Sequence, residues 1–234
     1  MSRTAPEFTG ILRRNIVRMP EAIRSATGII VLGKRIKSLL FTTDVALIRN
    51  HNADAVIAVY PFTPQPIINH SLILAADVPI FCGIGGGATT GRRCIDIARD
   101  AEFHGALGVV VNAPASDRLV ARLKRLLEIP VIVTVVWEQE NIRARLDAGA
   151  DILNISGAGN TAAIVRRIRE IDPEIPVIAT GGRTDDEILE TVAAGANAIT
   201  YTPPTPGELF RGVMKRYREA KKEEARRTEE GETS

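Results

Sequence analysis

Short apolar runs recur along the chain and alternate between two forms. In the first form an acidic residue is closely followed by proline and then by β-branched residues, and in the second form a small residue, usually glycine, comes shortly before the run. The first form occupies residues 77–86, 128–136 and 174–182, and the second occupies residues 104–112, 148–156 and 194–202, with a looser copy at 51–60. Because these runs are apolar on both faces, they are typical of parallel strands covered by helices on both sides.

The repeat has a measurable period. Pro130 and Pro176 are 46 residues apart, and so are Gly149 and Gly195, which fits two strand–helix units per repeat. Amphipathic stretches with helical spacing lie between the strands, at residues 117–128, 161–171 and 184–194. The two glycines suit the position just after a helix, where left-handed backbone is accessible to glycine at little cost.

Eight strands result when the run at 28–33 is counted as the first. Strands that alternate with helices require right-handed parallel crossovers, and eight equal units favour a single (β/α)8 barrel of the α/β class. A doubly wound open sheet is the alternative, but the repeat shows no switch point. We expect residues 1–217 to form the barrel, with an N-terminal helix within 1–27 covering its floor. The charged tail, residues 218–234, is predicted to fray or stay disordered.

Composition narrows the class of protein. The 234 residues carry a net charge of +2, which is not the basic excess of a nucleic-acid-binding protein. No run approaches the roughly eighteen apolar residues of a membrane helix, and the N-terminus lacks a hydrophobic signal region, so we expect a cytoplasmic protein. The three histidines and the carboxylates show no ligand spacing, and we expect neither a metal nor a cofactor. The sequence does not determine the oligomeric state, and a homo-oligomer is one of the possibilities.

Four side chains are candidates for chemistry because barrel enzymes build their sites from the loops after each strand. Lys34 follows the first predicted strand and could act as a base, a Schiff-base lysine or a partner for an anion, or be a solvated loop lysine. Glu138 follows the fifth strand and could be a general acid or base, or a charge at a helix start. Asn112 and Asn154 end the fourth and sixth strands and would orient a substrate.

Three glycine-rich loops could bind an anion through backbone N–H groups at a helix start. Glycines in tight strand-to-helix turns are the alternative explanation for each loop. The candidate anion-binding residues are Gly85, Gly86, Gly87 and Arg92 after the third strand, Ser156 and Gly157 after the sixth, and Gly181 and Gly182 after the seventh.

Residues 176–201, PVIATGGRTDDEILETVAAGANAITY, resemble the last quarter of the phosphate-binding barrels, the superfamily of ribulose-phosphate-type enzymes. The resemblance implies that Gly181 and Gly182 form the first half of a phosphate site. The second half departs from the superfamily, because Tyr201-Thr202-Pro203-Pro204 replaces its usual Gly-Ser or Gly-Thr pair. Prolines lack an N–H, so the hydroxyl of Thr200 or Thr202 would have to serve there.

The whole chain also resembles a group of bacterial barrels labelled only as hydrolases and, more distantly, the glycerol-3-phosphate-responsive antiterminator barrels. The hydrolase label gains no support from the residues, since there is no G-x-S-x-G elbow or Cys–His pairing. One hypothesis is therefore an isomerase or lyase acting on a small anionic, phosphorylated metabolite. The other is a ligand-sensing regulator, which the scarcity of ionisable groups at the strand ends keeps open.

Overall fold

A computed structural model describes Gly10 and residues 15–231. Eight parallel strands close into a barrel, which confirms the predicted (β/α)8 fold. The barrel strands are β3 (Ser38–Phe41), β4 (Ala55–Ala58), β5 (Ile80–Gly83), β6 (Gly108–Val111), β7 (Val131–Val135), β8 (Ile152–Ile155), β9 (Val177–Thr180) and β10 (Ala198–Tyr201). The helices between them are α1 (Val45–Arg49), α2 (Pro66–Ala75), α3 (Arg92–Phe103), α4 (Asp117–Lys124), α5 (Ile142–Asp147), α6 (Thr161–Ile171) and α7 (Asp185–Ala193).

The first barrel strand differs from the prediction. The run at 28–33 does not enter the barrel. It forms the first strand and the turn of an antiparallel hairpin, in which β1 (Ile29–Val31) pairs with β2 (Lys34–Ile36), and the barrel begins at β3. Leu32 and Gly33 turn the chain with φ angles of 46° and 81°. Only alternate residues of β1 are buried, whereas the first three residues of β3 are all buried. The shorter run, buried on both faces, is therefore the true barrel strand.

The hairpin covers the N-terminal end of the barrel. Ile29, Val31 and Ile36 pack in one cluster with the residues that point into the barrel. The Gly28 amide donates to the carbonyl of Asn197, just before β10. The floor of the barrel was predicted to be covered by a helix within residues 1–27. In the described part of that range the only helix is a 3₁₀ helix, Glu21–Ser25. Residues 1–9 and 11–14 lie outside the described residues.

In the second form of the repeat, a polar residue directly before the strand has a structural role. The polar residue just before three strands accepts a hydrogen bond from the first residue of the preceding strand. Asp54 accepts from Ser38 at 3.0 Å, Asp151 from Val131 at 3.0 Å and Asn197 from Val177 at 2.9 Å. Each side chain thereby satisfies a backbone donor that has no ladder partner at the strand's first residue. Gly149 and Gly195 have φ angles of 96° and 111°, as predicted for residues that follow a helix.

The remaining helix, α8 (Pro206–Gly231), belongs to a second unit, residues 203–234. The predicted domain limit at residue 217 falls inside this helix, and the extent of the barrel domain and the frayed tail stay predictions. None of the helices that the structure describes is both long enough and apolar enough to span a membrane.

Candidate functional site

The barrel interior changes from apolar to polar toward the C-terminal ends of its strands. The deeper inward positions are apolar, for example Ile132, Ile152, Ile178 and Ala198. Because side chains alternate along a strand, the residue two positions further also points inward. These next positions are Thr134, Asn154, Thr180 and Thr200 on four consecutive strands, and we call them the barrel mouth.

Hydrogen bonds within the barrel mouth leave the buried hydroxyl of Thr200 uncommitted. Asn154 Nδ2 donates to Thr134 Oγ1 at 3.3 Å, so these two side chains hold each other in place. Thr200 Oγ1 is buried and has no hydrogen-bond partner among the described residues. A buried hydroxyl without a partner loses its hydration and gains nothing in return, which costs about 1–3 kcal/mol. Such a group is typical of a position that a ligand completes.

Asn112 lies one residue beyond β6, two positions after the inward-facing Val110. Its backbone N–H donates to the backbone carbonyl of Gly85 at 2.8 Å. A Cβ on Gly86 would lie 2.3 Å from the Asn112 carbonyl oxygen, so only glycine fits against this strand end. The amide of Gly86 itself donates to the Thr89 carbonyl at 2.8 Å. Close packing therefore explains Gly85 and Gly86, and Gly87 is the one of the three glycines with space around it.

The loop after β8 is also internally bonded. The Gly157 amide donates to Thr161 Oγ1 at 3.2 Å, and a Cβ on Gly157 would lie 2.4 Å from Ile164 Cδ1. Ser156 is exposed beside it. The Gly157 amide that was predicted to bind an anion here already has an acceptor in the first residue of α6.

After β9, a carboxylate occupies the start of the helix. Glu187 Oε2 accepts from the backbone amides of Arg183 at 2.6 Å and Thr184 at 3.0 Å, and Thr184 and Glu187 form a capping box. These hydrogen bonds hold the pKa of Glu187 below its ordinary value. Gly182 has a φ of 87°, and Gly181 packs so closely that a Cβ would lie 2.5 Å from Ile199. Gly182 therefore supplies a left-handed residue to this turn, and the chain's own carboxylate binds the two amides that follow it.

Lys34 lies at the wrong end of the molecule for the predicted role. It belongs to β2 of the floor hairpin and is exposed there, so the expectation that it stands at the mouth of the barrel is wrong. The error arises because the wrong run was taken as the first barrel strand. With β3 in the barrel, the loop at the C-terminal end of that strand begins at Thr42. Asp44 in that loop caps α1 by accepting from the Leu47 amide at 3.0 Å.

The other predicted residues lie on the expected side but at its edge. Glu138 is exposed in the loop after β7, and Thr202 is exposed after β10. Arg92 is exposed at the start of α3 and pairs with Asp96 at 3.4 Å. The structure thus brings Asn154 and Thr200 together with Thr134 and Thr180, and leaves Glu138, Arg92 and Thr202 outside the barrel mouth. Their functional roles stay predictions.

Tyr60, beyond β4, forms a fixed part of the same face. Its hydroxyl accepts from the backbone N–H of Gln65 at 3.0 Å and lies 3.4 Å from Asn69 Oδ1. Burial raises the pKa of Tyr60, and it raises the pKa of the neighbouring Cys82 thiol to about 12. Both groups therefore stay protonated at neutral pH. Among the described residues, no group of three or more histidine, cysteine or acidic side chains is arranged to hold a metal ion.

Sequence reasoning missed a second feature of this face. Between the loops after β6 and β7 lies a cavity of about 360 Å³, lined by Ala113, Pro114, Trp137, Gln139, Glu140 and Arg145. Arg145 Nη2 and Nε bind Glu140 Oε1 at 2.7 and 2.8 Å, and Arg145 Nη1 binds Asp117 Oδ1 at 2.7 Å. Thr134 was missed as well, although a lone polar residue inside the apolar run 131–136 was a visible signal.

Comparison with known proteins supports the fold. Neither a protein-family model nor a curated protein matches the chain. Phosphoenolpyruvate phosphomutase from Streptomyces platensis subsp. rosaceus has a similar structure, with a TM-score of 0.59 and 16% identity over 84% of this chain and 83% of that one. Thiamine phosphate pyrophosphorylase from Pyrococcus furiosus has a TM-score of 0.52 and 20% identity over 70% and 84%.

Inosine 5′ monophosphate dehydrogenase from Legionella pneumophila has a TM-score of 0.60 and 15% identity, over 84% of this chain and 66% of that one. These similar structures are (β/α)8 enzymes, and at such identities the likeness shows the shared fold alone. None of them bears on the resemblance to the antiterminator barrels or to the group labelled hydrolase.

Proposed function

We propose that the barrel mouth binds a small anionic, phosphorylated metabolite and that the chain is an enzyme of the isomerase or lyase type. The observation that carries this proposal is the buried hydroxyl of Thr200, which has no partner among the described residues and lies in a row of hydroxyl and amide groups on four consecutive strands. The similar structures whose names include a phosphorylated compound favour the same kind of ligand.

The roles follow from the side chains available. Thr180 and Thr200 are paired on adjacent strands, and their hydroxyls would donate to an oxygen of the ligand. Asn154, held by Thr134, would orient the part of the substrate that reacts. The amides after Gly182 would bind the phosphate once the Glu187 carboxylate leaves them. Glu138 remains the acid/base candidate, and it would have to reach inward from the exposed loop after β7.

Binding without reaction is the second candidate, and one observation favours it. The four side chains of the barrel mouth are all uncharged, so none can take up or release a proton near neutral pH. A regulator that senses a metabolite needs only the hydrogen bonds. The two functions differ in whether a bound compound is consumed.

A thermal-shift screen with inorganic phosphate and phosphorylated metabolites tests both candidates. A ligand present at a hundred times its Kd should stabilise the protein by about 2.7 kcal/mol. Glu187→Gln, which removes the competing charge, should strengthen phosphate binding, whereas Glu190→Gln on the same helix should leave binding unchanged. Each stabilising compound is then incubated with the protein and followed by mass spectrometry. Consumption identifies an enzyme, binding alone identifies a sensor, and no stabilisation by any compound contradicts both.

A further inference from the structure

The cavity between the loops after β6 and β7 combines an apolar wall with an exposed aromatic ring. Ala113, Pro114 and Trp137 all line this cavity, and 67% of Trp137 is exposed. A large aromatic surface left open beside a cavity is a favourable platform for a flat or cationic group, because its π face attracts positive charge.

The polar side of the cavity presents an incompletely bonded carboxylate. The Glu140 side chain is only 11% exposed, and Arg145 directs both of its hydrogen bonds with this carboxylate at Oε1. Glu140 Oε2 is buried and has no partner among the described residues. A carboxylate oxygen that is buried without a donor is costly, and a donor with a positive charge relieves the cost best.

The positive charge that lines the cavity is already neutralised. Arg145 Nη1 binds Asp117 Oδ1 and also donates to the Ala115 carbonyl at 2.6 Å, so its guanidinium is held between two carboxylates. An anionic ligand would meet Glu140 and gain little from Arg145. A cationic ligand on the face of Trp137 would lie beside Glu140 and would reach its free oxygen once that buried carboxylate turns toward the cavity.

We propose that this cavity is a binding subsite for an organic cation. Its ammonium or guanidinium group would donate to Glu140 Oε2, and its ring or hydrocarbon part would stack on Trp137 and contact Ala113 and Pro114. The subsite is independent of the ligand proposed for the barrel mouth, and its test uses no activity and no phosphate compound.

Trp137 is the single tryptophan of the chain, so intrinsic fluorescence reports on this cavity directly. Benzylamine, which is protonated at neutral pH, serves as the probe, and benzyl alcohol is its neutral counterpart with the same ring. Titration of the full chain with benzylamine should change the emission saturably, and benzyl alcohol should bind at least ten times more weakly. Equal binding of the two compounds, or no saturable change with benzylamine, would overturn the assignment without bearing on the barrel mouth.

Two variants with the same charge change locate the interaction. Glu140→Gln should weaken benzylamine binding at least tenfold, whereas Glu138→Gln, in the same loop but not lining the cavity, should change it by less than about threefold. An equal loss in both variants would show a diffuse charge effect and contradict a site at Glu140. If Glu140→Gln does not fold, two variants of Trp137 replace it, with benzylamine binding measured by ligand-observed NMR. Trp137→Phe keeps an aromatic ring and should retain binding with at most a severalfold loss of affinity. Unchanged binding in Trp137→Ala would refute the site.

Discussion

Replacement of Thr200 by valine should stabilise the free protein and weaken its ligand binding at the same time. Valine has nearly the same shape as threonine, so the change exchanges one buried hydroxyl for a methyl group. Thr200 is 5% exposed and its Oγ1 has no partner among the described residues, so the folded state gains nothing from the hydroxyl. Removing that desolvation penalty should raise the free energy of unfolding by about 1–2 kcal/mol.

Thermal unfolding measures this change. In a protein of this size each kcal/mol corresponds to roughly 2–4 °C in Tm, so Thr200→Val should melt about 2–8 °C higher than the unmodified chain. The stabilisation by any mouth ligand should fall in the same variant, because a hydrogen bond to the ligand is lost. A ligand-induced shift that survives unchanged would remove Thr200 from the binding site.

Thr191→Val is the matched control. Thr191 is buried to the same degree, but its hydroxyl donates to the Glu187 carbonyl at 2.9 Å. Its replacement should therefore give no stabilisation and should lower the free energy of unfolding by up to about 1 kcal/mol. If Thr200→Val also destabilises the free protein, its hydroxyl has a partner in solution and the reasoning from its burial fails.

Three other predictions follow from the contacts described. Lys34→Met should leave ligand binding at the barrel mouth unchanged in a thermal-shift titration, because Lys34 lies on the floor hairpin; a large loss of affinity would contradict that placement. Glu187 has a folded-state pKa lowered below its ordinary 4.5, so its stabilising contribution is complete above that pH and is lost as the pH falls through the lowered pKa. Urea unfolding of the unmodified chain and Glu187→Gln should therefore converge at acidic pH, and a gap that is independent of pH would refute the charge-based cap. Asp151→Ala should lower the free energy of unfolding by about 1–3 kcal/mol, since the Val131 amide and Lys124 both lose their acceptor, and the exposed Asp147→Ala should change it by less than about 0.5 kcal/mol.

Two of the predicted site residues lie at the barrel mouth for a simple reason, while their roles stay predictions. Once the strands after the first were placed correctly, the rule that barrel sites lie at the C-terminal strand ends led to Asn154 and Thr200. Lys34 failed because the run at 28–33 is as apolar as a barrel strand, and the sequence alone does not distinguish it from the shorter run at 38–41. The cluster of Glu140, Arg145 and Asp117 was invisible because Asp117 is 28 residues from Arg145 in the sequence.

Local patterns by themselves determined the alternation of strands and helices, the capping box at Thr184 and the glycines after two helices. These features depend on residues a few positions apart, whose interactions form in any context that allows the helix or strand. The tertiary structure alone decided which apolar run closes the barrel, that Glu187 occupies the amides expected to bind phosphate, and that the Thr200 hydroxyl lacks a partner. Such outcomes depend on which atoms from distant segments compete for the same donors and the same space, and that competition is resolved only when the barrel closes.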